Sequence, residues 1–216
     1  MISVIVPAHD EERWVGRTIA SLRATTPFEV LVVANACRDR TAEVAQAHGA
    51  RVRSTPVCGV SHARNLGARA SRGDLLVFLD ADTVLEPGAL DAMAAVVPAR
   101  ADYGTCRIRP DRPTPAAVVT TTLLAWGHRV AGTSLGNLFC TRTLFDRAGG
   151  FDERMHAGED NDLNARFHRL GGRRVYLGRE AAYTSMRRFE RLGYVRVNLA
   201  WLVGYFRPPR GYEVIR

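Results

Sequence analysis

Three short apolar runs constrain the fold most. They are ISVIVPA (Ile2 to Ala8), FEVLVVA (Phe28 to Ala34) and LLVFL (Leu75 to Leu79). Rich in Val, Ile and Leu and bounded by polar residues, each reads as a strand buried on both faces. Helical patterns separate them. After the first run Val15, Ile19 and Leu22 share one face, with Asp10 expected as N-cap and Glu11 and Glu12 in the first turn. RDRTAEVAQAHGA predicts a helix stopped at Gly49, RVRST a short strand, and Gly59 to Ser71 a third helix. A further helix is expected from Pro87. Strands alternating with helices predict an α/β fold, with a Rossmann-like, mostly parallel central sheet flanked by helices. A chain of 216 residues suffices for one such domain.

After Ala99 the alternation loosens. DYGTCRIRP, GNLFCT and RVYLG read as strands, and Ala116 to Val130 as a helix. Pro110, Pro113 and Pro115 mark a crossing loop before that helix. EDNDLNARFHRLGG predicts a helix with Leu163, Phe167 and Leu170 on its inner face and Gly171 as its stop.

The polar residues that follow the strands carry the functional signal. LLVFL runs straight into Asp80-Ala81-Asp82. Desolvating a carboxylate is costly, so these two should stand at the strand's end, facing a cleft. In open α/β sheets the carboxyl edge is where ligands bind. His9-Asp10-Glu11 and the segment Asn35 to Asp39 occupy the same kind of position, so a parallel sheet brings all three clusters to one edge. Two acids one residue apart suit a hard divalent cation, Mg²⁺ or Mn²⁺. With Arg64 and Asn65 nearby, the set suits a nucleotide plus metal. A fourth cluster, Glu159, Asp160 and Asp162, opens a helix after the glycines 149, 150 and 158. Complementing the helix dipole needs fewer acids than this.

Composition narrows the chemistry. The net charge of +8 points to an anionic partner. All 30 basic residues are arginine, which excludes Schiff-base chemistry and the Walker phosphate loop, both of which need lysine. Cys37, Cys58, Cys106 and Cys140 form no C-x-x-C pair and read as reduced, mostly packed thiols. Aromatic–basic alternation and a helix-turn-helix pattern are both missing, so no nucleic-acid partner is expected.

Four segments, in order, resemble the GT-A glycosyltransferases of the large inverting family numbered two, particularly its small single-domain bacterial members. VIVPAHDEERWVGRTIASL is similar to that family's opening strand and helix, and VLVVANACRDRTAEVAQAHGA to its uracil-facing segment. GVSHARNLGARASRGDLLVFLDADT is similar to the stretch leading to its metal-binding Asp-x-Asp, and GGFDERMHAGEDNDLNARFHRLGG to its acceptor-side Glu-Asp segment. The resemblance implies a metal-dependent enzyme that takes a sugar from a nucleotide-sugar donor, with a UDP-sugar expected, and passes it to an acceptor hydroxyl. Residues 1–100 would form the nucleotide-sugar half and 101–216 the acceptor half of a single domain. Pro7, His9 and Glu11 would border the base. Asn35, which stands where the family usually has Asp, would lie there too. Asp39 and Arg64 would help bind the uridine. Asp80 would hold the ribose, and Asp80 with Asp82 the metal-bridged diphosphate. Asp160 would be the base, with Glu159 and Asp162 toward the acceptor. The tail lacks the Gln-x-x-Arg-Trp motif of processive synthases, so transfer of a single sugar is expected.

Two alternatives stand beside this one. A catalytically inactive nucleotide-sugar-binding protein would need these metal and base positions broken, and they are intact. FLDADTV also fits the aspartyl-phosphatase pattern of the haloacid dehalogenase class, which belongs on a first strand and needs a later lysine. With no run of ~18 apolar residues, a cytoplasmic protein is expected. A basic amphipathic C-terminal helix is expected to place Leu192, Val195, Leu199, Leu202 and Phe206 on one face, with Trp201, Val203 and Tyr205 nearby, and to pack on the core, form a homodimer or make a peripheral membrane contact. Arg187, Arg188, Arg191 and Arg196 supply its charge. The acceptor would be a sugar, a lipid-linked sugar or a small molecule.

Overall fold

The computed structural model describes residues 1–134, 136–155 and 157–198. Its first half alternates as expected: β1 (Ile2–Ala8), α1 (Val15–Ser21), β2 (Phe28–Asn35), α2 (Thr41–Ala47), β3 (Arg51–Thr55), α3 (Val60–Ala70) and β4 (Leu75–Leu79). The second half holds β5 (Thr83–Leu85), α4 (Ala89–Val96), β6 (Tyr103–Pro110), α5 (Pro115–Ala131), β7 (Asn137–Thr141), α6 (Arg142–Arg147), α7 (Glu159–Arg169), β8 (Arg174–Thr184) and α8 (Arg187–Leu192). Among the described residues the strands form one sheet in the order β3-β2-β1-β4-β7-β6-β8-β5.

β3, β2, β1 and β4 pair in parallel. β7 turns the sheet by pairing antiparallel with both β4 and β6. Beyond it β6 and β8 run parallel, and the short edge strand β5 closes antiparallel on β8. The sheet is thus parallel in its first half and mixed in its second. One apolar layer packs Ile2, Val4, Val6, Val77 and Leu79 against α1 and α4. The opposite layer packs Ile5, Leu76 and Phe78 with Phe145, Phe151, Leu163 and Phe167. Val15, Ile19 and Leu22 are all buried, as their spacing requires.

Several local expectations need correction. Asp10 does not cap α1, which begins at Val15. Its backbone is left-handed (φ 54°) and its carboxylate accepts the Arg38 N–H at 2.7 Å, so it ties two loops together instead. Residues Thr83–Leu85 form a short strand, β5, that the sequence pattern does not predict, and α4 starts at Ala89, not Pro87. β8 extends to Thr184. Leu170 is partly exposed, at 36%, while Leu163 and Phe167 are fully buried.

The C-terminal amphipathic helix is also revised. α8 stops at Leu192, and Gly193 (φ 86°) breaks the path. Leu192 packs beside Phe189, Val197 and Ala117, whereas Val195 is 73% exposed. The two do not share a face. Leu199, Trp201, Leu202, Val203, Tyr205 and Phe206 lie outside the described residues. Exposed apolar side chains gather on α5, at Val119, Leu123, Trp126 and Val130. Among the described residues no helix is long and apolar enough to cross a membrane.

The seating of α3 on the sheet matters for the site. A Cβ on Gly67 would lie 2.4 Å from Cγ2 of Ile5 and 3.2 Å from Cγ2 of Val33, so only glycine lets the helix come this close. Gly67→Val should therefore destabilise the protein by about 1–3 kcal/mol through overpacking. Gly127→Ala, in α5 with open space around its Cβ, should stabilise it by about 0.5–1 kcal/mol. Urea denaturation of both variants tests this, and a neutral Gly67→Val would mean that α3 is not held by this contact.

Candidate active site

Arg64 lies one helical turn before Gly67, on the face of α3 that meets the sheet, with its side chain only 4% exposed. Its Nη2 donates to Asp80 at 2.9 Å. Its Nη1 donates to both Glu159 and Asp160, each at 2.9 Å. The guanidinium also sits 5.1 Å from the centroid of Phe151. Burial opposes its charge, but Asp160, Asp80 and Glu159 together outweigh burial and raise its pKa. One cation thus joins the end of β4 to the first turn of α7.

The approach to α7 is held by Asn65, beside Arg64. Its Oδ1 accepts the Phe151 N–H, and its Nδ2 donates to the Phe151 carbonyl and to Glu153, all at 2.9 Å. On the other side, the left-handed Gly136 (φ 67°) passes so close to Asp80 that a Cβ would lie 3.1 Å from its carboxylate. The Gly136 carbonyl accepts the Asp80 N–H at 3.1 Å.

Asp82 and Glu11 form the neighbouring part of the site. Arg187 donates to Glu11 and lies 3.4 Å from Asp82. Burial, followed by the nearby charge of Asp80, pushes the Asp82 carboxyl up to about 7. Burial also raises Glu11, and its Oε2 has no hydrogen-bond partner. Asp160 is raised by burial, against the pull of Arg64 and with help from Glu159 and Asp80. Arg188 lies in the field of Asp80, Asp82 and Glu159. Five acidic groups therefore face three guanidinium groups, leaving an excess of acids over cations.

That excess suits a divalent cation between Asp80 and Asp82. Among the described residues no third His, Cys, Asp or Glu closes a three-donor cluster with this pair. A cation here would therefore complete its oxygen shell from a ligand and water. Asp10, Cys37 and Asp39 do bring three donor atoms within 4.8 Å of one another. They are already in use: Asp39 accepts from the Glu12 N–H and from both the N–H and hydroxyl of Thr41. The Cys37 thiol, raised by burial, donates to the Ala8 carbonyl.

The remaining expected residues line the ends of β1 and β2. Pro7 is the penultimate residue of β1, beyond the last pair with β4 at Ile5–Phe78, where its missing N–H leaves no gap in that ladder. His9 donates from Nδ1 to the Asn35 carbonyl at 2.7 Å, and Asn35 donates from Nδ2 to the Ala8 carbonyl at 2.8 Å. Asp39 and Asn35 are thus braces as well as lining residues. Asp162 does not join the Arg64 cluster. It pairs with Arg166 at 2.7 Å, beside an open groove lined by residues 149–154. Arg187 and Arg188, read from the sequence only as the basic charge of an amphipathic helix, lie beside the acids of the site. No local signal marked them, because the end of β8 at Thr184 was not visible in the sequence.

The family model described as "Glycosyl transferase family 2" matches residues 3–151. The chain belongs to that family. A relative from Haemophilus influenzae (strain ATCC 51907 / DSM 11121 / KW20 / Rd), an uncharacterized glycosyltransferase, is 26% identical over 186 residues, covering 76% of this chain and 60% of its own. The chain spans only about half to three-fifths of the length of the first curated relatives it matches. Two solved structures share the fold. Staphylococcus aureus TarS 1-349 in complex with UDP-GlcNAc gives a TM-score of 0.70 at 20% identity, over 85% of this chain and 58% of that one. The mannosyltransferase PcManGT from Pyrobaculum calidifontis in complex with GDP-Man and Mn²⁺ gives 0.73 at 19% identity, over 98% and 65%. Both likenesses are to GT-A structures, and the family member described here has that fold.

The raised Asp82 carboxyl sets a pH dependence. The folded state holds a proton that the unfolded chain has released above the ordinary carboxylate range of about 4. The resulting stability is fully present below that range and is lost as pH rises through about 7. Without divalent cations, Tm should fall between about pH 5 and pH 8, and Asp82→Asn should flatten much of that fall. Thermal denaturation in EDTA measures it. A wild-type Tm that rises across this range would show that Asp82 is ionised throughout.

Proposed function

We propose that this chain is an inverting, metal-dependent glycosyltransferase that moves a single sugar from a nucleoside diphosphate sugar, with UDP as the first candidate nucleotide, to an acceptor hydroxyl. The observation that carries this is the shared Arg64 guanidinium. It holds Asp80, at the donor edge of the parallel sheet, and Asp160, on the helix beyond β7, on one group. A displacement that inverts the sugar carbon needs the leaving diphosphate on one face of that carbon and the base on the other, and both acids belong to one site.

Asp80 and Asp82 would hold Mg²⁺ or Mn²⁺, which supplies charge neutralisation for the departing diphosphate. The ends of β1 and β2, around Pro7, His9, Asn35 and Asp39, would receive the nucleoside. Asp160 would take the acceptor's proton at a carboxylate oxygen. Burial raises its proton affinity, which suits a base working near neutrality. Arg64 fixes the direction of that carboxylate and leaves it charged enough to accept. Glu159 shares the same guanidinium nitrogen and so restrains the rotamer of its neighbour. The acceptor would enter along the groove beside Asp162 and Arg166.

Two variants test separate parts. Asp160→Asn should lower turnover by about 10²–10⁴-fold while donor affinity changes little. In the wild type the acid limb of the kcat profile should lie above the ordinary carboxylate range of about 4. Steady-state kinetics with a competent acceptor decides this. Near-normal turnover in Asp160→Asn would move the base elsewhere, and donor binding with no transfer to any acceptor tried would favour the inactive binding protein. Asp82→Asn should weaken Mn²⁺-dependent UDP binding by about tenfold or more, since it removes a formal charge from a hard-cation site. Calorimetry on the folded variant checks it, and unchanged metal-dependent affinity would refute the metal assignment.

A further inference from the structure

We propose that Arg187 is a diphosphate clamp. In this view Arg187 changes partner, from Glu11 and Asp82 to the diphosphate of the donor, when the nucleotide binds. The inference rests on the nucleotide-sugar reading of the site but concerns residues outside its motifs.

Backbone register explains the placement. β5 and β8 pair antiparallel with Thr83 opposite Thr184. The residues after β8 are thereby brought beside those before β5. Arg187, three positions past Thr184, reaches Asp82, one position before Thr83. The hydrogen bond from the Met186 N–H to Asp111 at 3.1 Å, and the burial of Phe189, fix the first turn of α8. The placement is therefore built into the sheet.

The present partners use the guanidinium poorly. Glu11 and Asp82 are both met through one nitrogen, Nη2. Neither receives the two-pronged fork that a guanidinium offers to a carboxylate or phosphate. Oε2 of Glu11 remains without a partner. The centroid of the Trp14 ring lies 5.7 Å from Arg187 and 6.0 Å from Arg17, so one aromatic ring serves two cations and can keep one when the other leaves. A cation at Asp80 and Asp82 would take over the carboxylate that Arg187 now attends. It would free the fork beside the place where the diphosphate must lie. Arg187 acts as an internal counter-ion for Glu11 and Asp82.

The test compares Arg187→Gln and Arg187→Lys with wild type, using UDP, GDP, uridine and guanosine with Mn²⁺, and Mn²⁺ alone. Calorimetry and ligand-observed NMR give the affinities. Arg187→Gln should weaken the diphosphate that wild type binds by about tenfold or more, the usual scale for a charge-assisted contact. The matching nucleoside should change little, and Mn²⁺ alone should bind at least as tightly, because a competing positive charge is gone. Arg187→Lys keeps a point charge without the fork and should fall between. If Arg187→Gln does not fold, Arg187→Lys carries the comparison through the same diphosphate-against-nucleoside difference. Equal losses for diphosphate and nucleoside, or unchanged diphosphate affinity in a folded variant with lowered Tm, would make Arg187 a structural strut and overturn the proposal. If wild type binds neither UDP nor GDP with Mn²⁺, the underlying reading of the site fails first, and this inference with it.

Discussion

The guanidinium of Arg64 is buried among three carboxylates drawn from opposite halves of the sheet. Asp80 ends β4, the last of the parallel strands, while Glu159 and Asp160 open α7, beyond the antiparallel turn made by β7. A point charge could attract all three but could not separate them. The planar fork sends one nitrogen to each side, so the group fixes direction as well as proximity. Removing it would strand buried carboxylates at a cost of about 3–5 kcal/mol. The close seat of Gly67 on Ile5, the glycine at 136 and the Asn65 clamp on Phe151 all serve to deliver these partners to one place.

The same cluster carries more acid than its cations balance. Burial raises Glu11, Asp82 and Asp160 together, so the folded state resists ionising them. A fold that needed only stability would place apolar groups or more cations here. On the proposed metal-dependent reading, a cation bound here would relieve the crowding of these acids. One group of side chains would then set protein stability near neutral pH against affinity for a cation.

The parallel half was legible because its strands are uninterrupted apolar runs with helices between them. That pattern permits one edge for Asp10, Asn35 to Asp39, and Asp80. β5 escaped notice because three residues, Thr83 to Leu85, show no period. The end of β8 escaped because REAAYT mixes charged and apolar residues beside an edge strand. Asp160 could be tied to the site only through the family resemblance, since nothing local joins it to Arg64 across 96 positions of sequence. Arg187 was visible as a charge and misplaced as a partner. Its helical neighbours suggested an amphipathic surface, while the register of β5 on β8, which composition does not encode, turned it inward. Asp10 looked like a cap by type, yet its left-handed backbone commits its carboxylate to Arg38.

Asn35 shows how a departure from the family pattern can be set by the backbone around it. The side chain is 4% exposed. Its amide donates to the carbonyl of Ala8, its oxygen accepts the Gly59 N–H at 3.3 Å, and its own carbonyl receives His9. The end of β1, the end of β2 and the start of α3 are joined through this one residue. An aspartate at 35 would set a carboxylate oxygen against the Ala8 carbonyl, two acceptors with no proton between them, in a buried place where that costs most. Asparagine supplies the missing donor. The choice at 35 is therefore accounted for by the lacing of three elements, without any contribution from a base. On the proposed nucleotide-sugar reading, discrimination among bases would then fall to other groups at this edge of the sheet.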